Sequence, residues 1–148
     1  MTITISRRHE IDMAHCLPDH DAACHRLHGH RYAVEAVLEG AIHAEPGDPQ
    51  RGMILDFGHL GAVMATVLNR YDHRCVMDTD DPRYAGARKL FGDDVIGLGG
   101  APTAENLAAM WASMFAYELG TRGGNHGLAA VIVHETPRCR AEWTPDTW

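Results

Sequence analysis

His28-Gly29-His30-Arg31-Tyr32-Ala33-Val34-Glu35-Ala36-Val37-Leu38 is the stretch on which the reading of this chain turns. From residue 30 to 42 the side chains alternate. Tyr32, Val34, Ala36 and Leu38 fall on one face and Glu35 and Glu39 on the other, the period of a half-buried strand. His28 and His30 stand two apart at its start, so a period of two puts both imidazoles on one face. Gly29 between them adds no bulk and lets the backbone bend. Residues 2–14 alternate too, through Ile3, Ile5, Ile11 and Met13, and lead into His15. Residues 16–29, with Pro18, Gly29 and several aspartates and histidines, read as a loop. An antiparallel pairing of the two runs returns the chain toward His15. A third imidazole then completes a triangle with His28 and His30.

Further along, Glu45-Pro46-Gly47-Asp48-Pro49 is a turn cluster. Asp56 is a helix N-cap, and Leu60, Val63, Met64, Val67, Leu68 and Tyr71 follow at helical spacing. Residues 78–101 are rich in Asp and Gly and read as a loop with a short helix around 82–90. Thr103 caps a second helix whose apolar face is Leu107, Met110, Trp111, Met114 and Phe115, ended by Gly120 and Gly123-Gly124. Leu128–Val133 is a β-branched buried strand. Residues 138–143 alternate as its partner across a Thr136-Pro137 turn. The order ββ–αα–ββ, without repeat or linker, predicts one α+β domain over 1–148: an antiparallel sheet with two helices on one face.

Composition narrows the function. Thirteen Lys and Arg stand against 20 Asp and Glu, a net charge of −7, which argues against nucleic acid as a partner. No apolar run approaches the length of a membrane span, and the N-terminus lacks the basic-then-apolar pattern of a secretion signal, so a cytoplasmic location is expected. The four cysteines form no CxxC pair, which argues against a Cys₄ zinc site. Cys24 differs from the others in its neighbours: it lies four residues before His28. Three neutral imidazoles suit Zn²⁺ and leave its fourth tetrahedral position open for a substrate oxygen. The metal keeps its full charge as a Lewis acid, and a nearby thiol can work on what it holds.

His15, Cys24, His28, Gly29 and His30 together resemble the 6-pyruvoyltetrahydropterin synthase/6-carboxytetrahydropterin synthase family. The resemblance continues in order through Ile54-Leu55-Asp56-Phe57 and Asp72-His73, where Tyr71 replaces a usual leucine. It runs on through Pro102-Thr103-Ala104-Glu105-Asn106-Leu107 and Val133-His134-Glu135-Thr136. It implies a T-fold, a four-stranded antiparallel sheet with two helices, assembled as a homo-oligomer of trimers, usually hexameric, with active sites at subunit interfaces. It implies zinc on His15, His28 and His30, Cys24 as catalytic thiol, and Asp72 and His73 as a second acid/base element. Glu135 would anchor the pterin ring, with Thr103 and Glu105 near that pocket.

The spacing of Cys24 to the His-Gly-His resembles the 6-carboxy branch of the family, which serves deazapurine (queuosine-type) pathways. The implied substrate is 7,8-dihydroneopterin triphosphate. The 6-pyruvoyl reaction and a catalytically silent zinc- or pterin-binding relative stand as alternatives. Arg7, Arg8, Arg26, Arg31 and Arg74 are unranked candidates for the triphosphate. The segment from Asp78 to Gly100 is longer than in compact members.

Overall fold

The protein is represented by a computed structural model that describes residues 3–121 and 126–146. Strand β1 (Thr4–His15) runs antiparallel to β2 (His28–Gly40) along its whole length. Met13 lies opposite His30, and His15 opposite His28. Next come helix α1 (Phe57–Leu68), strand β3 (Cys75–Asp78), helix α2 (Tyr84–Phe91) and strand β4 (Val95–Leu98). Helix α3 (Ala104–Gly120) precedes the closing hairpin of β5 (His126–Thr136) and β6 (Cys139–Trp143). The sheet order is β4-β3-β1-β2-β5-β6.

Both expected caps form. The Asp56 carboxylate accepts from the amides of Gly58 and His59, and the Thr103 hydroxyl from that of Asn106. Helix α1 ends at Leu68. Tyr71, expected on its face, lies in the following turn and is still buried in the core. The expected Gly123-Gly124 stop lies outside the described residues.

The sheet departs from expectation in having six strands and in being mixed. β3 and β4 pair parallel to each other, and β3 runs parallel to β1 at Ala14 and His15 only. The segment read as a loop with a helix therefore contains a helical crossover between two strands. Strands of four residues hold too few alternations to show a period, and β3 finds its partner β1 some sixty residues away in sequence.

The two helices expected on one face are α1 and α3. Ile11, Met13, Tyr32, Val34, Ala36 and Leu38 pack there against Leu60, Met64, Leu107, Trp111 and Phe115. Alternation sends Cys75 and Met77 to the other face, where a smaller cluster of Cys16, Met77 and Val95 meets Tyr84 and Ala87 of α2. Trp111, wholly buried, sets its ring edge-on to Tyr32 and Tyr71 at centroid distances of 6.5 and 5.6 Å. Tyr32 in turn stands edge-on to His15 and His30, so the core is continuous with the floor of the histidine cluster. Among the described residues no helix is long and apolar enough to cross a membrane.

Candidate metal centre

The register of β1 and β2 brings the three predicted imidazoles together. One ring nitrogen from each of His15, His28 and His30 lies within 4.8 Å of the other two. The close pairing also explains Gly29. A Cβ there would come within 3.1 Å of the Met13 carbonyl oxygen and 3.5 Å of the Ala14 Cα, both on the neighbouring strand.

Two carbonyls decide which nitrogens are free. His15 Nδ1 donates to Pro102 O at 2.8 Å, and His28 Nδ1 to Arg26 O at 2.7 Å. A carbonyl only accepts, so each Nδ1 carries the proton and each Nε2 of the neutral rings presents a lone pair. Those two Nε2 atoms are 3.1 Å apart. His30 Nε2 is buried and has no hydrogen-bond partner. Burial, above all, lowers the pKa of His15. The Pro102 carbonyl opposes this, and the neighbouring imidazole His28 adds to it, so a shared proton between the rings is disfavoured. Facing lone pairs beside a buried orphan nitrogen suit a cation, and an outward N–H held by a carbonyl is how metal-ligating histidines are oriented. The donor set fits Zn²⁺.

Around this cluster lie two groups of different legibility. Glu135, expected from resemblance, has Oε1 3.5 Å from His15 Nε2 and 4.0 Å from His30 Nε2, so it borders the imidazoles directly. Tyr32 was read only as a strand-face residue. Its hydroxyl lies 3.2 Å from His15 Nε2 and donates to Glu135 Oε1 at 3.4 Å. Burial first, then the charge of Glu135 and that hydrogen bond, with a smaller contribution from Cys24, push its pKa up, so it remains a neutral donor. Its place two residues after His30 on the same face was the signal available in sequence. Cys24 sits in a single 3₁₀ turn (Ala23–His25) and is half-buried, near enough to Tyr32 to act on its ionisation.

Asp72 and His73 form a pair elsewhere. His73 Nδ1 lies 3.0 Å from Asp72 Oδ2, while Asp72 Oδ1 accepts the Asp12 amide at 2.9 Å. Asp12 also takes a two-pronged hydrogen bond from Arg31, both residues being on the sheet face opposite Met13 and His30. His73 borders a cavity of about 760 Å³ whose walls include Ala14, Arg31, Ala87 and Phe91. No hydrogen bond or ion pair among the described residues links this pair to the imidazole cluster. Thr103 caps α3, and Glu105 is exposed in its first turn without a hydrogen-bond or ion-pair partner among the described residues. Of the arginines, Arg31 is engaged by Asp12 and Arg7 by the Phe57 carbonyl.

The fold and the cluster define a T-fold protein with a three-histidine group that could hold a metal ion. The family model described as 6-pyruvoyl tetrahydropterin synthase matches residues 4–146. The chain belongs to that family, and its function is of the pterin-synthase type, in the class of pterin-processing lyases. It is 32% identical over 142 residues to a 6-carboxy-5,6,7,8-tetrahydropterin synthase of Rickettsia felis, a match spanning 95% of this chain and 99% of that one. The protein of the same name in Haemophilus influenzae is 30% identical over 143 residues, covering 94% and 96%. An uncharacterized protein from Wolinella succinogenes superposes with a TM-score of 0.81 at 20% identity over 99% of both chains. The 6-pyruvoyltetrahydropterin synthase of Plasmodium vivax superposes with a TM-score of 0.72 at 19% identity, again over 99% of both. These two structures establish the likeness of fold.

Proposed function

We propose that this protein is a zinc-dependent 6-carboxy-5,6,7,8-tetrahydropterin synthase. It would convert 7,8-dihydroneopterin triphosphate to 6-carboxy-5,6,7,8-tetrahydropterin, acetaldehyde and triphosphate, within a deazapurine (queuosine-type) pathway in the cytoplasm. The observation that carries the reading is the pair of Nε2 lone pairs facing each other at 3.1 Å beside the unpartnered His30 Nε2. The names of the relatives and the spacing of Cys24 to His28 support the choice of product.

His15, His28 and His30 would hold the zinc ion. When bound, it supplies a positive charge that polarises and acidifies a hydroxyl of the substrate side chain. The Cys24 thiolate takes a proton from a side-chain carbon. Asp72 holds the Nδ1–H of His73, which leaves Nε2 of that ring to remove or return a proton. Glu135, held by the Tyr32 hydroxyl, accepts paired N–H donors from the amino-pyrimidine edge of the pterin. Thr103 and Glu105 stand at the end of α3 that supplies the Pro102 carbonyl to His15, and border the pterin pocket.

Within one chain no hydrogen bond or ion pair among the described residues joins His73 to the imidazole cluster. The reading therefore draws Asp72 and His73 from a second copy, in a trimer-based homo-oligomer that pairs to a hexamer. Support comes from two strand edges: among the described residues β3 covers β1 at Ala14 and His15 alone, and β6 has no neighbour on its outer side. An open edge invites a strand from another chain.

The test is product identification by mass spectrometry after incubating the zinc-loaded protein with 7,8-dihydroneopterin triphosphate. Acetaldehyde and the 6-carboxy product are expected. A 6-pyruvoyl product without acetaldehyde moves the assignment to the other activity of the family. Zinc and pterin binding without turnover identifies a silent relative.

A further inference from the structure

The loop that carries Cys24 is bonded almost entirely to itself. The Leu17 amide donates to the Cys24 carbonyl at 2.9 Å, the His25 amide to Ala22 O at 3.0 Å, and the Arg26 amide to Ala23 O at 3.0 Å. His25 Nδ1 adds a bond to Pro18 O at 2.7 Å, and the Arg26 carbonyl receives His28 Nδ1. The His25 carbonyl is bonded from farther off in the chain. It accepts Arg83 Nη1 at 2.8 Å. Among the described residues, this is the only hydrogen bond to residues 17–27 from a side chain outside residues 15–28.

Arg83 is itself immobilised. Its Nε and Nη2 fork onto Asp81 at 2.9 and 2.7 Å, and its amide donates to Asp81 Oδ1 at 2.8 Å. The Asp81 side chain is completely buried and also lies 3.6 Å from Cys16 Sγ. A planar guanidinium clamped on two nitrogens has no freedom left in the third, so its remaining N–H points at a fixed place. The long segment from Asp78 to Gly100, with no evident duty in the chemistry, thus places a rigid donor against the peptide that follows Cys24.

We infer that Arg83, locked by Asp81, is a positioning residue that sets where the Cys24 thiol stands. The inference rests on the reading of Cys24 as the proton-transferring thiol. It adds that the loop holding it is aimed by Arg83, from the segment between β3 and α2, as well as by His28 at the start of β2. The ion pair with Asp81 and the bond to His25 are separable, because only the second bears on the thiol.

Arg83→Lys separates them. A lysine keeps its charge against Asp81 but is a single point donor, unable to span Asp81 and the His25 carbonyl together. Three readouts are taken on the zinc-loaded enzyme: melting temperature, kcat and KM with 7,8-dihydroneopterin triphosphate, and the rate of Cys24 carbamidomethylation by iodoacetamide, followed on its peptide by mass spectrometry. The variant is expected to melt close to the parent, to lose about tenfold in kcat with KM little moved, and to alkylate Cys24 at a rate changed severalfold. Arg83→Met, which loses both bonds, is expected to lose melting temperature as well.

Parent kcat and parent Cys24 alkylation in Arg83→Lys would overturn the inference. So would a loss of kcat that merely follows the melting temperature across both variants, since the clamp is then a stability element. Cys24→Ala is run in parallel. Full activity in that variant removes the thiol from the chemistry, while the alkylation rates still report whether Arg83 orders the loop.

Discussion

The histidines on the two faces of the sheet are built for opposite tasks. His15 is buried, and a carbonyl fixes the tautomer of His15 and of His28, so their free nitrogens converge. His73 stands alone with 77% of its side chain exposed, in a left-handed backbone conformation (φ 59°) tied down by its amide bond to the Asp12 carbonyl at 2.7 Å. A cluster whose N–H groups are turned to carbonyls and whose free nitrogens converge could hold a cation. An exposed imidazole with one carboxylate partner keeps its other nitrogen open to whatever approaches it. Proximity in sequence says nothing about this division; the hydrogen-bond partner of each ring decides it.

The sharpest test exchanges one histidine from each side. His28→Ala is expected to lose bound zinc and all measurable turnover. His73→Ala and Cys24→Ala are expected to keep zinc at parent stoichiometry and lose roughly 10²–10⁴-fold in kcat, the usual worth of a placed acid or base. Elemental analysis beside steady-state kinetics distinguishes them. Full zinc occupancy in His28→Ala would break the ligand assignment, and parent activity in His73→Ala would end the role of the exposed face.

A smaller effect contrasts the packing behind the two sites. Trp111 lies under Tyr32 and the histidines, and truncation to Ala is expected to cost about 3–5 kcal/mol of stability. Phe91, 58% exposed at the end of α2, is expected to cost within about 0.5 kcal/mol on the same change. Urea unfolding of both variants checks this. Equal losses would mean that α2 belongs to the main core.

The smallest effect is electrostatic. The Arg83 hydrogen bonds, against the cost of burial, hold the Asp81 carboxyl at about 2 in place of 3.8. The folded value is the lower one, so the stabilisation is complete above the unfolded pKa and disappears as pH falls through the folded one. It amounts to about 2 kcal/mol. Unfolding free energy should therefore fall between about pH 4 and pH 2, and Asp81→Asn should flatten that slope. An unchanged acid slope in the variant would place the lost stability in other carboxylates.

Much of this was readable in residue order. The period of two in His28–Leu38 and in the first strand paired β1 with β2 and put three imidazoles at one end. Asp56 and Thr103 announced the starts of α1 and α3, because cap chemistry is local. β3 and β4 were not readable, since four residues give no period, β3 joins the sheet on the distant β1, and among the described residues β4 pairs only with β3. Nor were the duties of Pro102, whose carbonyl reaches His15 across 87 residues, or of the Asp81–Arg83 fork on the Cys24 loop. A backbone carbonyl has no letter of its own, so no pattern of side chains marks which one will orient a ring.

Local physics therefore determined the elements, their apolar faces and the kinds of ligand on offer, because alternation, helical spacing and caps act between near neighbours. The tertiary structure alone decided which nitrogens keep their protons, which carboxylate borders the imidazoles, and that Asp72–His73 lies on another face. Each of those depends on a hydrogen bond or a strand register between segments far apart in the chain, and such contacts exist only once the sheet has closed over its core.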